Sequence, residues 1–191
     1  MKQAMHQACL LVGSNIRPTK NIPLAVNLLQ KYMTILQTSS VWETEAVGSD
    51  SPNFLNAALL VTTSMEAEIL KERVLRPLEA RLERVRTSDK NAPRTIDLDI
   101  LLFDHQLLEP NLWRYAYCAV PVAEVLPGYQ TDTGEYLKDA ALRLVRSTSI
   151  WERTDISIYD FQYCSVICSK KQVGNLENKN NCSTHRPEVF H

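Results

Sequence analysis

Apolar positions along this chain fall into blocks of two different periods. Ala8 to Val12 is an unbroken apolar run closed by Gly13-Ser14-Asn15, which predicts a short buried strand. Asn21 as a cap, Pro23 in the first turn, and Leu24, Leu28, Leu29 and Tyr32 at helical spacing predict a helix. Ile35 to Glu43, rich in Thr, Ser and Val, predicts a second strand, and Phe54 to Thr63 a third, with a loop composition over Glu45 to Asn53 between them. Thr63 with Glu66 forms a capping-box pattern ahead of a helix whose stripe is Leu70, Val74, Leu78 and Leu82, and Pro77 inside it predicts a kink or local break. Thr87 to Pro93 is a polar loop. A strand bearing Asp97 and Asp99 follows, then a turn near Asp104-His105. Tyr117 to Leu126 and Leu137 to Val145 read as helices, and Ile150 to Ile158 as a last strand. The order β-α-β-β-α-β predicts a ferredoxin-like α+β sandwich, an antiparallel sheet with helices packed on it. Residues 1–168 form the expected domain. Residues 169–191, dominated by Lys, Asn and Ser, read as a flexible tail.

Within this pattern one strand is unusual. Arg94-Thr95-Ile96-Asp97-Leu98-Asp99 leads into Ile100-Leu101-Leu102-Phe103, so two carboxylates two residues apart share one strand face. Ile96, Leu98, Ile100 and Leu102 are expected to form a continuous core-facing row on the other. Adjacent like charges are costly unless a positive partner lies between them, and a hard divalent cation such as Mg²⁺ suits carboxylate oxygens. The plainer alternative is the solvent face of an edge strand.

Composition narrows the classes. The chain has 191 residues, 45% hydrophobic and 23% charged, with a net charge of −1, an ordinary globular balance without a polyanion-binding surface for nucleic acid. The charge is uneven, however. Lys71 to Arg94 carries eight basic against four acidic residues, directly before the acid pair. No run approaches a membrane span, and Met1 to Gln7 has no signal-peptide layout. Five cysteines in irregular spacing do not suggest a disulfide framework, so a cytoplasmic, reducing compartment is expected. Cys164, Cys168, Cys182 and His185 match no standard zinc spacing.

Five motifs stand in order: Val12-Gly13-Ser14-Asn15, Ser40-Val41-Trp42-Glu43-Thr44, Phe54-Leu55-Asn56-Ala57, Leu78-Glu79 with Arg84-Val85-Arg86, and Pro93-Arg94-Thr95-Ile96-Asp97-Leu98-Asp99. Together they resemble the 6-hydroxymethyl-7,8-dihydropterin pyrophosphokinase family of folate biosynthesis, over roughly Cys9 to Pro127. The resemblance implies transfer of pyrophosphate from ATP to the pterin hydroxymethyl oxygen, with release of AMP. It implies two Mg²⁺ ions held by Asp97 and Asp99, and Arg84 and Arg94 as phosphate-facing catalytic arginines. Glu79, Arg86, Lys90 and Ile100 complete the nucleotide side, with Arg76 near it. The pterin side comprises Thr44, Ala46, Val47, Phe54, Asn56 and Tyr117. The expected partners are these small molecules alone, on a monomer, with a dimer as the alternative.

Plainer roles stand beside these assignments. Arg86 and Lys90 also suit a solvated helix end, and Phe54 and Tyr117 suit a core. The chain departs from the family pattern in several places. Pro110-Asn111 stands where Pro-His is usual, in a shortened segment. Tyr115 or Arg114 occupies the neighbourhood of a missing arginine. Asn91-Ala92 replaces an aromatic-glycine pair, and Glu83 replaces a glycine. These departures touch ATP handling more than pterin recognition. A non-catalytic pterin- or nucleotide-binding relative, or a Mg²⁺-dependent nucleotidyltransferase releasing pyrophosphate, remains open on the sequence.

Overall fold

The first apolar run forms the middle of the sheet, where an uninterrupted hydrophobic strand can be covered on both faces. This strand, β1 (His6–Ser14), pairs antiparallel with β4 (Phe54–Thr63) on one side and β5 (Asp97–Phe103) on the other. The computed structural model describes residues 4–46, 51–89, 92–130 and 134–158, all within one unit, Met1–Asp160. The expected tail, including Cys164, Cys168, Cys182 and His185, lies outside the described residues.

The outer strands are β2 (Thr34–Thr38), β3 (Trp42–Thr44), β6 (Gln106–Leu107) and β7 (Ile150–Glu152). The sheet order is β6-β5-β1-β4-β3-β7, with β2 beside β3 on β4, and all pairings are antiparallel. One face packs Leu10, Val12, Leu59 and Val61 against α1 (Pro18–Leu29) and a composite helix carrying Leu70, Val74 and Leu78. The opposite face packs Cys9, Leu11, Ala58 and Leu60 against α4 (Ala116–Val125) and α5 (Leu137–Val145).

The composite helix shows how a proline is absorbed. It runs as α2 (Ala67–Leu70), a π-turn (Lys71–Leu75) and α3 (Arg76–Arg81). Pro77 has no N–H for the carbonyl of Arg73, and its ring crowds that turn. The chain widens just before it, with Arg76 N donating to Lys71 O, which is the break expected from the sequence.

Several boundaries differ from expectation. α1 starts at Pro18 after Arg17, a left-handed residue with φ of 47°, and Pro23 lies inside it. Asn21 is no cap: its buried carboxamide donates to the carbonyls of Ile16 and Thr95. The second strand divides because the Ser39 hydroxyl accepts from Ala58 N at 2.8 Å, in place of a ladder bond. Thr63 makes a local turn with Met65 N, and Glu66 itself takes the cap position. The core row of β5 holds through Ile100. A bulge opposite Cys9 and Leu10 then turns both Leu101 and Leu102 to the α4 face. The last strand ends at Glu152, where Arg153 turns to pair with Asp155 and Glu43.

Candidate active site

Cross-strand register assembles the site. Gly13 faces both Asn56 of β4 and Asp97 of β5, Leu11 faces Asp99, Trp42 faces Asn56, and Thr44 faces Phe54. Directly opposed residues point to the same side of a sheet. Thr44, Phe54, Asn56, Asp97 and Asp99 therefore share the α4 face, at the end of the sheet beyond the second core. A cavity of about 600 Å³ opens there.

One wall is basic. The helix α3 ends at Leu82 in a Schellman turn: Glu83 N donates to Ala80 O, and Arg84 N to Glu79 O, with Glu83 left-handed at φ of 62°. This turn directs Arg84 into the cavity. Its Nη2 lies 3.0 Å from Asp97 Oδ1, while Arg94 Nη1 lies 2.5 Å from Asp97 Oδ2. Both oxygens of Asp97 are thus held by guanidinium groups. Arg84 Nε is buried without a hydrogen bond, 3.9 Å from Glu79 Oε1. The Arg94 guanidinium also lies over the Phe54 ring, 5.7 Å from its centroid.

Arg94 is fixed from behind by the Gly13-Ser14-Asn15 turn. Asn15 Oδ1 accepts from Arg94 N at 2.7 Å, and the Asn15 and Ile16 amides donate to Arg94 O. Ser14 Oγ donates to Thr95 O at 2.6 Å, and Asn15 Nδ2 donates to Pro52 O at 3.1 Å. Both side chains are buried. This turn therefore joins the entry of β5 to the segment entering β4.

Asp99 lines the cavity and is exposed there. Loss of bulk water there, then the negative charges of Asp97, Glu79 and Glu109, push its carboxyl up to about 6. No ion pair to Asp99 forms within 4.0 Å among the described residues. Asp99 is an oxygen donor suited to a hard divalent cation, whereas Asp97 would share its oxygens between that cation and the two arginines. Among the described residues no third His, Cys, Asp or Glu completes a protein-only cage. Remaining ligands would be water or phosphate oxygens, as magnesium prefers.

The opposite wall is aromatic and amide. Tyr117 on α4 lines the cavity and stacks on Tyr115 at 5.4 Å between centroids. Burial pushes its phenol well above the usual range. Asn56 is buried and its Nδ2 points to Thr44 Oγ1 at 3.5 Å. Gly13 leaves room for that carboxamide, since a Cβ there would lie 2.9 Å from Asn56 Oδ1.

Thr44, Ala46, Phe54, Asn56, Arg84, Arg86, Arg94, Asp97, Asp99 and Tyr117 all line this one cavity. Glu79 does not. It is buried behind it, accepting from Leu98 N at 2.9 Å and pairing with Arg86 Nη2 at 2.5 Å. Burial raises its carboxyl, with the Leu98 bond opposing. Ile100 packs toward the other core. Arg76 pairs with Glu72 on the helix surface. Val47 and Lys90 lie outside the described residues. Neither Arg114 nor Tyr115 lines the cavity; Arg114 stands over the Tyr115 ring instead. Glu109, Leu11, Leu101 and Cys118 line it without having been singled out. Only the strand register reveals Leu11, and only the bulge reveals Leu101. Glu109 had a signal, as an acid directly before Pro110, and its carboxylate caps that 3-10 turn through Asn111 N.

A family model described as 7,8-dihydro-6-hydroxymethylpterin-pyrophosphokinase (HPPK) matches residues 9–127, more than half of the chain. The chain belongs to this family. An HPPK relative from Campylobacter jejuni, named 2-amino-4-hydroxy-6-hydroxymethyldihydropteridine pyrophosphokinase, is 38% identical over 118 residues, covering 60% of this chain and 71% of its own. A relative of the same name from Bacillus subtilis is 34% identical over 130 residues, covering 62% and 77%. The structure of Plasmodium falciparum HPPK-DHPS with pteroate shares the fold at a TM-score of 0.59 and 12% identity, over 76% of this chain and 43% of that one. An HPPK-DHPS complex with substrates gives 0.57 and 14%, over 74% and 44%. This chain spans under half the length of those two structures.

Proposed function

We propose that this cavity transfers pyrophosphate from ATP to the hydroxymethyl oxygen of 6-hydroxymethyl-7,8-dihydropterin in folate biosynthesis. The new bond joins that oxygen to the β-phosphorus. The bond from the β-phosphorus to the oxygen bridging to the α-phosphate breaks, AMP leaves with that oxygen, and the hydroxyl proton is released. Such a transfer depends on positioning and charge neutralisation more than on covalent help. The observation that carries the reading is the convergence of Arg84, Arg94, Asp97 and Asp99 with Tyr117, Phe54 and Asn56 in the lining of one cavity.

Each group has a task its chemistry suits. The guanidinium forks of Arg84 and Arg94, which both line the cavity, suit phosphate oxygens. Arg86 and Lys90 add positive charge at the loop. Asn56, with donor and acceptor on one carboxamide, matches the amide-like edge of a pterin, with Thr44, Ala46 and Val47 beside it. Tyr117 and Phe54 offer faces for the flat ring. Asp97 and Asp99 would hold Mg²⁺, two ions in this reading, whose chemistry when bound is to neutralise triphosphate oxygens and ease ionisation of the attacking hydroxyl. Glu79, Arg76 and Ile100 belong to the nucleotide side in this reading, Glu79 by bracing Arg86 and β5. Among the described residues no helix is long and apolar enough to cross a membrane. We place the protein in the cytoplasm, as a monomer or alternatively a dimer, without nucleic acid or membrane partners.

Incubation with ATP, Mg²⁺ and reduced hydroxymethylpterin is expected to yield AMP and the pterin diphosphate. Free pyrophosphate would instead mark a nucleotidyltransferase, and intact ATP with measurable pterin binding would mark a binding protein. Asp99→Asn is expected to lower turnover about 100-fold or more while the melting curve stays cooperative.

A further inference from the structure

The two walls of the pterin side belong to different elements, and one side chain joins them. Glu124, near the end of α4, accepts from the Trp42 indole Nε1 at 2.5 Å through one oxygen and from Ser40 N at 2.7 Å through the other. Its backbone carbonyl accepts from Gln37 Nε2 at 3.2 Å. Trp42 and Thr44 lie on the same face of β3, opposite Asn56 and Phe54. Tyr117 lies seven residues before Glu124, two turns back along α4.

That helix needs an outside anchor. Pro121 sits within α4 and has no N–H for the carbonyl of Tyr117, so the helix is weakened at the turn bearing the aromatic wall. On the other side, β3 is only three residues long and follows the ladder break at Ser39. Two short, locally weakened elements define the gap, and the Glu124 carboxylate spans it.

We propose that Glu124 is a positioning residue that sets the separation between the Tyr117 wall and the Thr44–Asn56 wall, and thereby the affinity for a flat bicyclic ring. This inference rests on the pterin reading above. A carboxylate accepts at both oxygens, and both its partners are N–H donors. Glutamine offers one acceptor and one donor, so Glu124→Gln keeps one bond and opposes the other.

Equilibrium titration with 6-hydroxymethylpterin and, separately, with Mg²⁺ and a non-hydrolysable ATP analogue tests this on the full chain. Glu124→Gln is expected to weaken pterin binding about fivefold and leave nucleotide binding within twofold. Trp42→Phe, which removes the indole donor but keeps the ring packing, is expected to do the same. The double variant should lose clearly less than the two single losses combined. Unchanged pterin affinity in a folded Glu124→Gln, or an equal loss for nucleotide, overturns the inference and leaves the functional reading standing. A wild-type protein that binds no pterin overturns both.

Discussion

At Gly13 one methyl group decides whether the acceptor wall keeps its shape. A Cβ would stand 2.9 Å from Asn56 Oδ1, and Asn56 is buried with its amide directed at Thr44, so the carboxamide must turn. Gly13→Ala is expected to weaken pterin binding at least tenfold with about 1 kcal/mol lost from stability, read by titration and thermal melting. Glu83 presents the reverse case. It occupies the left-handed position of the Schellman turn, where glycine carries no steric penalty, which gives a physical meaning to its departure from the family's glycine. Glu83→Gly is expected to raise stability by about 1 kcal/mol, or Tm by about 2–4 °C, while Arg84 keeps its place. An unchanged or lower Tm would show that Glu83 contributes a compensating contact. At this scale the sequence carried much of the site. Asp97, Asp99, Asn56 and the arginines are chemically conspicuous where they stand. Glu109, Leu11 and Leu101 are not, because their roles depend on partners distant along the chain.

Whole elements were legible where one periodicity governs a stretch. Phe54–Thr63 and Leu137–Val145 form over the expected residues because their buried positions repeat without interruption. The start of α1 was hidden, since a left-handed backbone turn at Arg17 begins it in place of a capping side chain. The β5–β6 hairpin is likewise held by side chains no local pattern reveals. Its turn residues Asp104 and His105 both have positive φ, at 47° and 67°. Asp104 Oδ1 accepts from Gln7 N at 2.9 Å, and Oδ2 lies 2.6 Å from His6 Nδ1. Glu66 approaches His6 Nε2 at 3.3 Å, and the His6 ring stacks on Phe103 at 5.1 Å. The Asp104 hydrogen bond chiefly holds His6 above its ordinary 6.5, and the His6 bond chiefly holds Asp104 below its ordinary 3.8. A raised histidine stabilises fully below 6.5 and loses that contribution as pH rises through its folded value. A lowered aspartate stabilises above 3.8 and loses it as pH falls through its own. The bridge is therefore strongest between these values. The Tm gap between wild type and His6→Ala is expected to be largest near about pH 6 and to narrow by about pH 8.5. A gap that widens over that interval would contradict the assignment.

For the molecule as a whole, the question is how far the functional unit extends past the family match, which ends at residue 127. The segment beyond α5 continues to brace the site's outer strand. Trp151 pairs with Glu43 across β7 and β3, and Arg153 N donates to Val41 O at 2.8 Å. The Arg153 guanidinium reaches Glu43 Oε2 at 2.5 Å, and Glu43 Oε1 accepts from Asn53 Nδ2 at 2.9 Å, next to Phe54. Ile158 is buried in the first core, with Ile156 packed against it. A chain ending at residue 149 loses the β7 ladder, the Arg153 pair and these two side chains together. Burial of Ile158 and half-burial of Ile156 are worth roughly 2–4 kcal/mol, so Tm should fall by about 4–16 °C and pterin affinity should fall with it as β3 loses its neighbour. A chain ending at residue 168, the boundary proposed from composition, should keep the melting temperature and pterin affinity of the full chain. Equal behaviour of the two truncations would mean that β3 stands without this brace. Loss in the longer one would mean that residues 169–191 contribute to the folded unit, against the tail reading.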